Sequence, residues 1–435
     1  TNIDTYGASW GDYNNDSYLD VFLSNRAELD DQQNYLYKNN GDGTFSDVTS
    51  SAGIDSDSHM SFCSAFFDFN NDGWQDIYIS SDKYINQNFL YKNNGDGTFT
   101  DISSSSGTDL FIDAMTTTIG DFNNDGWFDI YVTNTHAGNV FFKNNGDGHT
   151  FNDITDISGT GFYSVGWGAV FLDAENDADL DLYVSGELDG SFEAFMSAAF
   201  YENVGTDEFE LPDDVGFSDD NRASFSNAIG DVDNDGYPEI VVNNSNLQDM
   251  FLWKNQSSTT NNWLKVKLEG VQSNKDGIGS RIEISIAGNK QYRYTHCGEG
   301  YLSQNSGTEF FGLGAETEVD YIKVTWLSGV VDVLTDITIN DTLTLVEGST
   351  LSVQESEMYG QIEFYPNPVQ DILTIRAKRD IDTIVLRDVL GHVIIEMTPH
   401  EMQFDLDLSM LNSGTYFLLV TYEDSDRQSV SLLKN

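Results

Sequence analysis

Five times along the chain, oxygen-bearing side chains fall at positions 1, 3, 5 and 9 of a nine-residue stretch. The sets are Asp12, Asn14, Asp16, Asp20; Asp68, Asn70, Asp72, Asp76; and Asp121, Asn123, Asp125, Asp129. Two more follow as Asp173, Glu175, Asp177, Asp181 and as Asp231, Asp233, Asp235, Glu239. A short loop that turns several carboxylates inward repels itself in water unless a hard cation with about six to eight oxygen ligands sits among them, which points to calcium, up to five ions. Position 7 varies as Tyr18, Trp74, Trp127, Asp179 and Tyr237, as expected where the backbone carbonyl is the ligand. Position 6 is Gly in three copies, for the tight bend, but Ser17 and Ala178 in the first and fourth, which are the weaker loops.

The elements that must position these loops are strands. No helical pattern flanks them as in an EF-hand, and each runs into an alternating segment such as Asp76-Ile-Tyr-Ile or Asp129-Ile-Tyr-Val. The loops start 56, 53, 52 and 58 residues apart, a repeat period. One unit reads as four strands, with the loop between the first two and a Gly-Asp-Gly hairpin between the last two. Asp42, Asp96 and Asp147 in those hairpins are read as turn acids, not ligands. Four such strands per unit, with inward aromatics, predict a β-propeller sheet.

These residues resemble the FG-GAP or VCBS-type repeats of integrin α-subunit propellers and bacterial surface proteins, over about residues 1–260. The resemblance implies a calcium loop between the first two strands of each blade. Such propellers commonly have more blades than the five visible here, and the fifth copy lacks the Gly-Asp-Gly-Thr-Phe strand, passing from Phe251-Leu-Trp-Lys into new sequence. Either the ring is small or early blades are missing. Because the chain opens at Thr1 within a repeat, a longer precursor is expected.

Near Asn261 the period stops. Trp263-Leu-Lys-Val-Lys-Leu, Ser273 to Arg281, Gly300 to Asn305, Phe311-Gly-Leu-Gly314 and Trp326-Leu-Ser-Gly329 resemble, in order, the ASPIC/UnbV domain, assigned to 261–348. Gly277-Ile-Gly279 lacks the spacing and following helix of a phosphate loop and reads as a β-turn. Residues 349–360 are polar and acidic, a linker. From 361 to 435 short alternating strands predict a small Ig-like sandwich: 371–375, 384–386, 392–395 and 416–420. Tyr365, Pro366, Asn367, Pro368, Asp388, Gly391, Gly414, Tyr416 and Lys434 resemble the type A C-terminal sorting domain of the type IX secretion system, with His392 where a basic Arg or Lys is usual. That resemblance implies an export address read by an outer-membrane translocon or shuttle protein.

The bulk numbers exclude several classes. With 72 acids against 20 bases the formal charge is −52, which repels nucleic acid and anionic lipid. Eighteen acids sit in the five loops, so calcium accounts for only part of the excess. No stretch is apolar and long enough to span a membrane. Cys63 and Cys297, parsed into different domains, exclude a disulfide framework and read as buried thiols. The six histidines show no zinc spacing, and no nucleophile motif appears. A His296/Cys297 dyad is disfavoured because strand neighbours point to opposite faces.

The reading is an all-β, calcium-loaded protein, secreted or on the cell surface: propeller, ASPIC/UnbV domain and sorting domain, with no catalytic site assigned. The leading expectation is adhesion, or binding of a polysaccharide or surface protein. A secreted carbohydrate-active enzyme is the alternative, and cargo captured by its translocon the second.

Overall fold

Strands follow every Asp-rich loop, as the alternation requires. The computed structural model describes residues 4–434 apart from 27–32, 56–58, 189–194, 214, 218–219, 246, 258, 351–362, 366–368, 389–392, 413 and 423–426. Sheet one holds β1 (Thr5–Gly11), β2 (Asp20–Asn25), β3 (Tyr35–Asn39) and β4 (Phe45–Asp47). Sheet two holds β5 (Ser61–Phe67), β6 (Asp76–Ser81), β7 (Phe89–Asn93) and β8 (Phe99–Asp101). Sheet three holds β9 (Thr117–Gly120), β10 (Asp129–Val132), β11 (Val140–Asn144) and β12 (Phe151–Asp153). Sheet four holds β13 (Gly166–Leu172), β14 (Asp181–Gly186), β15 (Ala198–Gly205) and β16 (Glu208–Glu210). All four are meanders in chain order, whereas sheet five has three strands, β17 (Ser224–Gly230), β18 (Glu239–Asn244) and β19 (Phe251–Trp253). Among the described residues the only helices are single turns at Ser103–Ser106 and Thr155–Ser158.

Alternation alone would leave one face of each sheet wet. Instead β6 and β14 are buried at every residue, because neighbouring sheets cover both faces. Separate apolar clusters fill the seams between sheets one and two, two and three, three and four, and four and five. Each buried Phe or Tyr contributes about 1.5–3 kcal/mol. β18 shows where the stacking stops, exposing Val241 and Asn243. Inner-strand residues Tyr6, Phe62, Trp167 and Phe225, with Met115, meet along the axis, and Tyr301 from the following domain joins them.

No seam core joins sheet five to sheet one among the described residues. Residues 297–306 bridge the two instead: Trp10 N–H donates to Cys297 O (2.9 Å) and Ser306 N–H to Ile229 O (2.9 Å). The five sheets are therefore tied together by the next domain.

That domain packs two sheets over one core containing Leu264, Ile282, Phe311, Ile322 and Trp326. One sheet has β20 (Asn262–Glu269) between β23 (Glu309–Gly314) and, in parallel, β26 (Thr342–Val346). The other runs β22 (Asn289–Tyr294), β21 (Arg281–Ile286), β24 (Tyr321–Thr325), β25 (Val331–Leu334). It forms one compact unit with the five sheets, Thr1–Leu351, so the boundary at 261 marks a change of sequence and not of body. Thr350 N–H donates to Asp332 Oδ1 (2.9 Å), which gives residues 349–350 to this domain; the rest of the expected linker, 351–360, lies outside the described residues. Gly277 N–H donates to Asn274 O (3.0 Å), the expected turn.

The second unit spans Ser352–Asn435. Its strands are β27 (Glu363–Tyr365), β28 (Ile372–Asp388), β29 (Val393–Met397), β30 (Glu401–Asp407), β31 (Gly414–Tyr422) and β32 (Arg427–Lys434). The strands expected at 371–375 and 384–386 are one element, β28. Register shifts between Arg376 and Ile381 let its first half pair with β27 and β30 and its second with β29 and β31, around a core of Leu373, Ile384, Leu386, Leu418 and Val420.

Candidate metal centre

The five loops share one hydrogen-bond scheme. In the second, Asp68 Oδ1 accepts from Asp72 N–H (3.0 Å) and Oδ2 from Gly73 N–H (2.8 Å), while Asn70 Oδ1 accepts from Asp72 N–H (3.0 Å) and Asp72 Oδ1 from Trp74 N–H (3.0 Å). Asp12, Asp121, Asp173 and Asp231 accept in the same way. Position 6 takes a left-handed backbone throughout: Ser17 (φ 76°), Gly73 (85°), Gly126 (87°), Ala178 (87°) and Gly236 (92°). The two non-glycine loops hold the same shape under strain.

Position 9 roots each of the first four loops in its sheet. Asp76 Oδ1 accepts from Asn93 N–H (2.7 Å) and Asp129 Oδ1 from Asn144 N–H (2.8 Å), as Asp20 and Asp181 do from Asn39 and Asn203. Burial and crowding by like charges push these acids up: Asp12 and Asp68 to about 6, and Asp20, Asp121 and Asp173 to about 7. Asp179 is pushed up to about 8, and Asp76, Asp129 and Asp181 lie well above the carboxylate range, burial first in each case. Asp20 Oδ2, Asp179 Oδ1 and Glu239 Oε1 are buried without a hydrogen-bond partner. Asp231, Asp233 and Glu239 bring one oxygen each within 4.8 Å of one another. Such a donor set, all oxygen and buried at position 9 in every loop, fits Ca2+.

Sequence reasoning missed three features. Position 4 is Asn in every copy, left-handed at Asn15, Asn71, Asn124, Asn176 and Asn234 (φ 53° to 61°). Its amide staples each loop to the next: Asn15 Nδ2 donates to Gly73 O (3.1 Å), Asn71 to Gly126 O (3.2 Å), Asn124 to Ala178 O (3.0 Å) and Asn176 to Gly236 O (3.2 Å). The invariance of that Asn across five copies was the available signal. Second, Tyr18, Trp74 and Trp127 at position 7 lie on the hairpin glycines Gly41, Gly95 and Gly146, so these side chains pack even where the carbonyl is the expected ligand. The hairpin acids are structural, as read: Asp42 and Asp96 accept from the N–H groups of Thr44 and Thr98 (both 3.0 Å), and Asp147 from Thr150 N–H (2.8 Å).

The third feature is that the following domain lies on the loop face. Arg281 Nη1 donates to Asn71 Oδ1 and Nη2 to Gly126 O, both at 2.8 Å. Lys265 Nζ sits 2.7 Å from Asp231 Oδ2, both side chains almost fully buried, and over the Trp263 ring. A Cβ on Gly236 would overlap that ring. Arg293 is buried beside Asp173, Glu309 and Asp121. Around it lies a cavity of about 70 Å³, also lined by His296 and Glu299, with room for water and not for a sugar ring.

The thiols differ from expectation. Cys63 is buried, its thiol pushed up to about 11 by burial, but Cys297 is partly exposed, and both belong to the same unit. His296 and Cys297 lie in a loop after β22, with His296 Nδ1 3.2 Å from Phe66 O. Of the sorting-signal residues, Tyr365 is exposed on β27, Gly414 and Tyr416 lie on β31, and Lys434 is buried in β32. Asp388 ends β28, and Pro366, Asn367, Pro368, Gly391 and His392 lie outside the described residues.

Comparison with known families supplies the assignment. Residues 12–79, 68–132 and 121–184 match the FG-GAP-like repeat, residues 270–352 the ASPIC and UnbV domain, and residues 363–433 the secretion system C-terminal sorting domain. The chain carries all three modules. The fifth loop lies beyond the matched FG-GAP-like windows yet has their geometry, and β20 precedes the matched ASPIC and UnbV segment while forming its central strand. The sorting domain makes this a protein exported by the type IX secretion system to the cell surface or beyond, and no described helix is long and apolar enough to cross a membrane. Cartilage acidic protein 1 of Xenopus tropicalis is 28% identical over 270 residues, 60% of this chain and 40% of that protein; the Homo sapiens protein is 26% identical over 262 residues, 58% and 39%. The chain thus spans about 40% of the length of these relatives. Among solved structures, PorZ, a surface component of the type-IX secretion system of Porphyromonas gingivalis, aligns at a TM-score of 0.32 with 12% identity over 99% of this chain and 59% of that one. The extracellular domain of BT4673 from B. thetaiotaomicron aligns at 0.21 with 9% identity, over 96% and 67%.

Proposed function

We propose that this protein is a calcium-stabilised binding protein of the cell surface, in which the FG-GAP-like sheets present a rigid body to a polysaccharide or surface protein and the sorting domain engages a translocon or shuttle protein during export. The observation that carries the calcium reading is the set of desolvated loop carboxylates with partnerless oxygens, Asp20 Oδ2 and Glu239 Oε1 among them. Bound calcium supplies the missing charge and fixes five stapled loops as one face. Its role is structural, since the loop face is covered by the ASPIC and UnbV domain and the cavity beneath it is too small for substrate. No catalytic residues are assigned.

Melting curves in calcium and in EDTA test this. A ligand held at about 100 times its Kd adds about 2.7 kcal/mol to the folded state. EDTA should therefore lower the melting temperature by several degrees; equal curves would end the calcium reading. A glycan array in calcium then separates polysaccharide from protein partners.

A further inference from the structure

Three seams are closed by the same device. The fourth strand of one sheet lays a Phe against the aromatic at loop position 2 of the sheet before: Phe99 on Tyr13 (5.6 Å between ring centroids), Phe151 on Phe69 (6.0 Å) and Phe209 on Phe122 (5.8 Å). The third strand keeps register through an Asn that donates to the position-2 carbonyl: Asn93 to Tyr13 O, Asn144 to Phe69 O and Asn203 to Phe122 O. At the seam between sheets four and five the Asn is present, with Asn255 Nδ2 2.7 Å from Ala174 O. The device that should follow is missing. Position 2 is Ala174, sheet five has no fourth strand among the described residues, and the chain goes on to β20, with Asn261 Nδ2 donating to Glu175 O (2.9 Å).

What remains is a groove of about 700 Å³ beside an edge of β19 that is unpaired among the described residues, floored by Leu172, Phe200, Phe217, Ile240 and Trp253 with Glu202 on its wall. Phe217 already stacks on Phe200 and meets Trp253 edge-on, so the space left is that of the absent fourth-strand aromatic. The neighbouring seam shows what charge belongs opposite Glu202. There the third strand carries Lys143, which pairs with Asp207, two residues before Phe209, at 2.6 Å. In sheet four the same third-strand position is Glu202, while the nearby Lys254 is paired with Asp233.

We propose that the groove is a docking site for an extended peptide segment of a partner protein, which adds to the edge of β19 as a fourth strand, seats an aromatic side chain against Ala174 and Trp253, and places a Lys or Arg two residues earlier against Glu202. Strand addition supplies backbone hydrogen bonds, and alternate side chains supply selectivity. The aromatic is set by three copies within this chain, and the charge by the single Lys143–Asp207 pair and its reversal at Glu202. Ala174 and Glu175 on the rim of the groove belong to the fourth loop, so the shape of the groove rests on the calcium reading.

The test uses fluorescent nonapeptides copying residues 203–211, with Asp207→Lys, with Asp207 retained, and with Asp207→Lys plus Phe209→Ala, titrated into the full chain by anisotropy in calcium buffer. A melting curve on the same sample keeps a failure of calcium binding separate from a failure of docking. The Lys peptide should bind, and both controls should bind at least tenfold more weakly. Glu202→Lys in the protein should reverse the preference toward the Asp207 peptide, and Ala174→Phe, which fills the groove, should abolish binding of all three. Equal binding of the three peptides, or none at millimolar concentration, overturns the proposal. So does a self-dimer of the unliganded chain that Ala174→Phe dissociates, since the groove would then belong to a second copy.

Discussion

The loops at Asp121 and Asp231 have the same backbone and different means of settling their charge. In both, position 1 accepts from the N–H groups of positions 5 and 6. At the third sheet, position 9 is Asp129, both of whose oxygens accept backbone N–H groups, from Asn144 (2.8 Å) and Phe122 (3.4 Å). At the fifth, position 9 is Glu239, whose Oε2 accepts from Val232 N–H (2.8 Å) while Oε1 has no partner. The fifth loop alone has lysines on two of its acids, Lys265 on Asp231 and Lys254 on Asp233. An interior loop is thus bolted to its sheet, whereas the terminal loop frees an oxygen for a cation and borrows charge from the neighbouring domain.

The comparison breaks most readily at position 9. Asp129→Ala strands two buried donors and removes a ligand, and should cost about 3 kcal/mol in urea unfolding even without calcium. Glu239→Ala strands only the Val232 N–H and should cost less, about 1 kcal/mol without calcium. Equal losses would mean that the two loops are built alike.

Lys265→Met sharpens the same contrast. It leaves the buried Asp231 carboxylate without its ammonium, a change worth about 3 kcal/mol in EDTA, and the loss should shrink in calcium because the ion replaces the lysine charge. A loss of the same size in both buffers would place the ion elsewhere.

A smaller effect separates the loops from the rest of the ASPIC and UnbV domain. Burial alone would raise Glu347, but hydrogen bonds from Ser328 Oγ and from the N–H groups of Ser273, Val271 and Gln272 (2.6 to 2.7 Å) outweigh it and hold the carboxyl below its usual value. A depressed folded value stabilises above the unfolded one, so the contribution is complete near neutral pH and is lost as pH falls below about 4.5 through the folded value. Glu347→Gln should therefore melt lower than the parent at pH 7, by about 1–2 kcal/mol of stability, and the gap should close toward pH 3. A gap independent of pH would assign the effect to packing.

Much of this was legible in the sequence, for local reasons. Loop, strand and Gly-Asp-Gly hairpin are each set by residues close in sequence, and their repetition carried the five-sheet architecture, while the two following modules were read from their resemblance to known families. What could not be read depends on long-range partners. Arg281 reaches Asn71 and Gly126 from a different fold, and Tyr301 enters the axis from a loop whose motif marks its own domain and not the contact it makes. β28 was read as two strands, 371–375 and 384–386, while pairing on both sides carries it through as one. The missing fourth strand was visible at Phe251; the groove it leaves needed the structure.

The most direct test of the calcium reading is metal content. After dialysis of the full chain against calcium and then against metal-free buffer, plasma mass spectrometry should find calcium approaching one ion for each of the five loops, with Asp121→Ala lowering the count by one. A parent protein with less than one calcium per chain would contradict it.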